Sequence, residues 1–113
     1  MEQLNKVELR GTVGTVHTQV VGALTHYCFS VATNYAYQGK DGGYVVETTW
    51  HMVRGFSDKM VGGPIAKGDK VSVTGRIRAE RYTDVDGNDK TQYFILAQKI
   101  RKLSDGPMEA QSA

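Results

Sequence analysis

Cysteine is almost missing from this chain: Cys28 stands alone among 113 residues. One thiol cannot close an internal disulfide, so a stapled secreted scaffold is excluded. No run of 18 apolar residues and no apolar N-terminal segment is present, so a spanning helix and an export signal are not expected, and a reducing cytoplasm is the expected home. Helical periodicity is missing over any long stretch. The three histidines, His17, His26 and His51, lack metal-ligand spacing, and Cys28 has no second cysteine, so neither a structural zinc nor any other cofactor is expected. In GGPIAKGDK the residue after Gly68 is Asp69, where a phosphate loop requires lysine. Asp84, Asp86 and Asn88 imitate the first ligands of a calcium loop, but Ile95 stands where the bidentate glutamate belongs, and a hairpin turn accounts for them. No nucleophile has an evident base, and catalysis is not expected.

What is present is ordinary in amount and uneven in placement. The composition, 40% hydrophobic and 23% charged, is that of one globular domain. Residues 1–53 carry three Lys/Arg against four Asp/Glu, whereas residues 54–103 carry eleven against six. Basic charge gathered in one half points to a polyanionic partner, because cations that neutralise phosphates release counterions.

Period-two alternation dominates the chain. In NKVELRGTV, Val7, Leu9, Gly11 and Val13 share one face. A second strand is expected from about Thr25 to Thr33, and a third from about Tyr44 to Gly55. Between them NYAYQGKDGG is an exposed loop or hairpin tip. In SDKMVGGPIAKGD, Ser57 is placed to cap a short helix that Gly62, Gly63 and Pro64 break within two turns. A fourth strand runs from Lys70 to Tyr82, with Val71, Val73, Gly75 and Ile77 on its core side. After the DVDGND turn, TQYFILAQKIRKL is the fifth. Five strands with at most one short helix between the third and fourth predict an all-β fold, a five-stranded OB-fold Greek-key barrel over 1–103, although five strands also suit an SH3-like barrel. Residues 104–113 are expected to be a short flexible tail.

The third strand does not sort cleanly. Val46, Thr48, Trp50, Met52, Arg54 and Phe56 share one face, and Val45, Glu47, Thr49, His51 and Val53 the other. A core facing Trp50 would bury Arg54 with no acid on its own face, at a cost of several kcal/mol. Trp50, Arg54 and Phe56 are therefore expected to face outward; the opposing arrangement buries Trp50 and Phe56 while Arg54 reaches the rim along its aliphatic stem. The fourth strand repeats the mixture with Lys70, Arg76, Arg78 and Tyr82. Cations interleaved with exposed rings suit single-stranded nucleic acid, with phosphates on the cations and bases on the rings. Tyr35 and Tyr37, on the loop, are two further candidate rings, each equally able to cover a patch of core.

NKVELRGTVG, FSVATN, ETTWHMVRGF and KGDKVSVTGRIRAERYTDVDGN, in that order over residues 4–103, resemble the successive blocks of the bacterial single-stranded DNA-binding protein family. The resemblance implies an OB-fold homotetramer that coats single-stranded DNA without sequence preference in replication, recombination and repair, in a nucleoid-associated cytoplasmic setting. It implies stacking for Trp50 and Phe56, with Tyr82 and Tyr37 where other members carry aromatics. Lys6, Arg54 and Arg78 match basic or DNA-facing positions, and His51 matches a histidine at a subunit contact. The departures are a short Thr15–Thr25 segment, a weak helix at VGGP, and an end, GPMEAQSA, without the acidic tip that recruits other proteins. The alternatives are an OB-fold protein-assembly or RNA-binding module, and a barrel nuclease, for which the acids are too scattered.

Overall fold

The computed structural model describes residues 1–103, and the expected tail lies outside them. Five long strands form β1 (Val7–Val21), β2 (Leu24–Gln38), β3 (Tyr44–Phe56), β5 (Lys70–Thr83) and β6 (Asp89–Lys102). A 3-10 turn, Ser57–Lys59, and a two-residue strand β4 (Met60–Val61) lie between β3 and β5. The sheet order is β3-β2-β1-β5-β6, and β6 returns to β3 through a short parallel pairing, Val53 with Ile95 and Arg54 with Leu96. That return closes the expected all-β five-stranded barrel. Among the described residues no helix is long and apolar enough to cross a membrane.

Alternation explains which side became the interior. Val13, Phe29, Val31, Val53, Val71, Val73 and Ile100 are fully buried at successive inward positions of all five long strands, with Tyr27, Ile95 and Ala97 beside them. Each such side chain contributes about 1.5–3 kcal/mol by leaving water. No polar or charged residue is buried among the described residues, so Val53 does face the core and Arg54 does not.

Three expectations change. The first two strands are longer than their hydrophobic alternation suggested, because they form a hairpin with a two-residue turn in which Gly22 has φ 62°, a conformation open to glycine. Asn34–Gln38 likewise belong to β2, and the loop between β2 and β3 shrinks to Gly39–Gly43. Ser57 caps no helix; its Oγ accepts the N–H of Thr25 at 3.0 Å and ties the 3-10 turn to β2. Ile77 keeps the inward parity expected of it but is 49% exposed. Ile77 lies opposite the core residue Ile95 but on the open hollow between β3 and the β5–β6 hairpin, so one side of it stays uncovered.

The ladder between β3 and β6 is only two pairs long, so β3 and the β5–β6 hairpin diverge and leave an open, mainly apolar hollow of about 370 Å³. Val7, Leu9, His51, Ile77 and Ile95 line it, together with Trp50 and Phe94 at its outward edge. Val7–Gly11 pairs with β5 on one side, and the β1–β2 ladder begins only at Thr12.

Candidate nucleic-acid interface

Cross-strand register places the outward residues of β2 and β3 in rows: His26 beside Phe56, Cys28 beside Arg54, Ser30 beside Met52, Ala32 beside Trp50. Trp50 is 61% exposed on this surface, so the outward assignment holds. Its indole reaches over Gly14 of β1, where a side chain would collide with the ring and with Ser30 Oγ at 2.7 Å. The absence of a side chain at position 14 therefore leaves the room that the six-membered ring of Trp50 takes. Nothing in the alternation of NKVELRGTVG marked Gly14 for this role; its signal needs the β1–β2–β3 register. Phe56 lies edge-on to His26, with centroids 5.0 Å apart.

Arg54 is not the free cation that the sequence suggested. Its Nη1 and Nη2 donate to the two carboxylate oxygens of Glu80 at 3.1 and 3.2 Å, and its guanidinium sits 4.2 Å from the centroid of Phe94. The acid absent from the face of β3 comes from β5, across the barrel seam. Its signal was the parity of KVSVTGRIRAERYT, in which Glu80 stands on the same row as Arg78 and Tyr82. Phe94, hidden in the apolar run of TQYFILAQKI, is only 7% exposed although it points outward, because Arg54 lies on it and Arg78 is 6.0 Å from its centroid. A cation on a ring face is attracted by the ring quadrupole. Gln92 Nε2 also donates to Glu80, at 2.7 Å. The hydrogen bonds from Arg54, then those from Gln92, hold the Glu80 carboxyl below its ordinary value, and the same partner raises that of Arg54.

The remaining cations continue this surface. Arg76 and Arg78 are exposed beside Leu96 and Phe94, and Tyr82 is exposed beside Lys90 at the tip of the β5–β6 hairpin. Asn5 exchanges hydrogen bonds with the backbone of Ile77 and so sets Lys6 alongside Arg76. Lys6 is 3.8 Å from Glu8, and Lys70 Nζ donates to Thr12 Oγ1 at 2.7 Å. Lys6, Trp50, Arg54, Phe56, Lys70, Arg76, Arg78 and Tyr82 thus all stand on the exterior of the barrel, with Arg54 and Arg78 joined through Phe94.

Tyr35 and Tyr37 are not gathered there. They share the parity of Phe29 and Val31, so they occupy the opposite face of the β2–β3 arm, beyond the barrel, with centroids 6.1 Å apart. Tyr35 is 69% exposed. His51 is on that same inward-parity face, as expected, with Nε2 2.8 Å from Thr33 Oγ1. Among the described residues no three His, Cys, Asp or Glu side chains converge on a metal position. Asp84 Oδ1 instead accepts the N–H groups of Asp86 and Asn88, as a turn requires.

A profile described as the single-strand binding protein family matches residues 4–103. The single-stranded DNA-binding protein of Xanthomonas axonopodis pv. citri is 34% identical over 106 residues, covering 88% of this chain and 58% of that relative. The mitochondrial single-stranded DNA-binding protein of Drosophila melanogaster is 33% identical, covering 90% and 73%. The chain thus spans about 58–67% of the length of the first bacterial relatives it matches. In fold it resembles a Plasmodium falciparum protein solved with single-stranded DNA, at TM-score 0.75 and 22% identity, over 92% of this chain and 98% of that one. It also resembles a Thermus aquaticus single-stranded DNA-binding protein, at TM-score 0.72 and 23% identity, over 91% and 52%.

Two outcomes follow from the geometry. Gly14→Ala is expected to displace the indole, moving tryptophan emission to longer wavelength while far-UV circular dichroism stays unchanged; an unmoved spectrum would show that position 14 does not hold the ring in place. Glu80 has a folded pKa below its unfolded value, so its stabilisation is complete above about pH 4.3 and disappears as pH falls through the folded value. Glu80→Gln should therefore lower the urea midpoint at pH 7, with the gap to the parent closing below about pH 4. A gap that persists in acid would assign the loss to packing instead.

Proposed function

The chain belongs to the single-strand binding protein family, and on that premise we propose that it binds and coats single-stranded DNA without sequence specificity, in replication, recombination and repair. The observation that supports this most is Trp50, a ring 61% exposed on the outward face that reaches Gly14 of the neighbouring strand. Bases stack on Trp50 and Phe56, and on Tyr82 at the hairpin tip. Phosphates meet Lys6, Lys70, Arg76 and Arg78, each exposed. Arg54, held by Glu80 and Phe94, presents one side of a fixed guanidinium rather than a mobile charge. Such a surface reads no sequence, because every base has a face to stack and every nucleotide a phosphate. Tyr35 and Tyr37 join this path where the strand rounds the β2–β3 arm. The family is a binding family without enzymatic activity, which sets the nuclease alternative aside.

The same proposal includes a homo-oligomer, with the homotetramer as its form. Its support is the open apolar hollow beside His51 and the Val7–Gly11 segment of β1, which pairs only with β5. An edge strand and an apolar hollow side by side invite a second copy. The same proposal places the chain in the cytoplasm at the nucleoid, although its relatives include bacterial and mitochondrial proteins alike.

Oligo(dT) should quench Trp50 emission, and the apparent affinity should fall as salt rises. Trp50→Ala should weaken binding by about 1–3 kcal/mol with the fold intact; absence of quenching at low salt would overturn the reading. Sedimentation equilibrium should give four times the 12.4 kDa chain mass, and a monomer at micromolar concentration would remove the oligomer from the proposal.

A further inference from the structure

Arg54 is a cation on the proposed DNA surface whose charge is already met from within the protein. Its Nη1 and Nη2 donate to the two carboxylate oxygens of Glu80 at 3.1 and 3.2 Å, and Gln92 Nε2 donates to the same carboxylate at 2.7 Å. Its Cζ lies over the Phe94 ring, 4.2 Å from the centroid. The network joins three strands, with Arg54 on β3, Glu80 on β5, and Gln92 and Phe94 on β6. Phe94 is covered by it, whereas the Arg54 side chain itself is only partly covered. On the outward row of β3 it stands between Met52 and Phe56, both exposed.

We infer that the open side of the Arg54 guanidinium is a base-stacking site, a composite platform of arginine on phenylalanine, and not a phosphate contact. The inference rests on the DNA-binding reading above and assigns, within it, what Arg54 takes. A phosphate bonds a guanidinium through its N–H groups, and here both terminal nitrogens are occupied by a carboxylate. An incoming phosphate therefore meets a pair that is neutral overall. The guanidinium group is planar, weakly hydrated and stacks on aromatic faces, and the part left open is the part that Phe94 and Glu80 do not cover.

Spacing along the strand agrees with this. Trp50 and Phe56 are six residues apart on β3, about 20 Å, which is further than neighbouring bases stand from one another in an extended strand. Arg54 adds a third platform about 7 Å from Phe56. Glu80 is then a positioning residue: it does not touch the base, but it fixes the plane on which the base rests. Among the described residues Arg76 and Arg78 have no acid within ion-pair distance, and the phosphates are left to such free cations.

The test is the Arg54 Nε–H proton resonance of the isotope-labelled full chain, identified as the signal that Arg54→Lys removes, followed while oligo(dA) is added. A purine stacked on the guanidinium should move this proton upfield by its ring current. A downfield move, the mark of a hydrogen bond to phosphate, would overturn the stack, and so would a stationary signal while Trp50 emission is quenched. Arg54→Lys itself keeps the charge but not the plane. Its affinity for oligo(dA) at fixed salt should fall about fivefold or more, the low end of what one stacked base contributes, with the slope of log affinity against log salt unchanged. Parent-like affinity, or a shallower slope, would overturn the stack. Should Arg54→Lys lose its fold, Glu80→Gln decides: the released guanidinium should gain a phosphate and steepen the slope by about 0.7. An unchanged slope there would overturn the claim that Glu80 withholds Arg54 from phosphate. Trp50 emission that oligo(dA) never quenches would overturn the DNA-binding reading itself, and the stack with it.

Discussion

The barrel is closed by two residue pairs, Val53 with Ile95 and Arg54 with Leu96, and the rest of the molecule depends on that seam. In a closed sheet every strand must give one row of side chains to the interior, so fixing the parity of β3 against β6 fixes the parity of the others through the ladders. Val53 goes in and Arg54 comes out. The same seam brings β5 and β6 close enough to β3 for Glu80 and Phe94 to receive Arg54. Because it is short, it also leaves the hollow beside His51 open.

This arrangement separates cations that organise the surface from cations that remain available. Arg54 is satisfied by a carboxylate and a ring, and Phe94 is covered from outside by charge rather than from inside by core. Such a partly buried arrangement holds one geometry and is screened less by salt than a surface pair. Among the described residues, Arg76 and Arg78 of β5, Arg10 of β1, and Lys99 and Arg101 of β6 have no acid within ion-pair distance.

Much of this was legible in the chain itself. Alternation gave the strands, and the charge of Arg54 turned Trp50 and Phe56 outward, as the structure has them. An acid does lie against Arg54, but it is Glu80 of another strand, which the face of β3 alone does not reveal. Strand lengths were underestimated at Thr15–Val21 and Asn34–Gln38, because exposed hairpin ends have no core to impose an apolar alternation. Ile77 has inward parity yet stays half exposed, because parity is a property of a strand whereas burial depends on the barrel closing over it, and here the hollow is open.

The sequence alone determined what each residue is able to do on a pleated strand: which side chains fall on one side, where turns break the pattern, and which half of the chain is basic. These are local consequences of a period of two and of side-chain chemistry. Only the tertiary structure decided which residues meet. Gly14 under Trp50, Glu80 on Arg54, and Arg10 in line with Arg101 join positions far apart in the chain, and their register is set by barrel closure, which no single strand encodes.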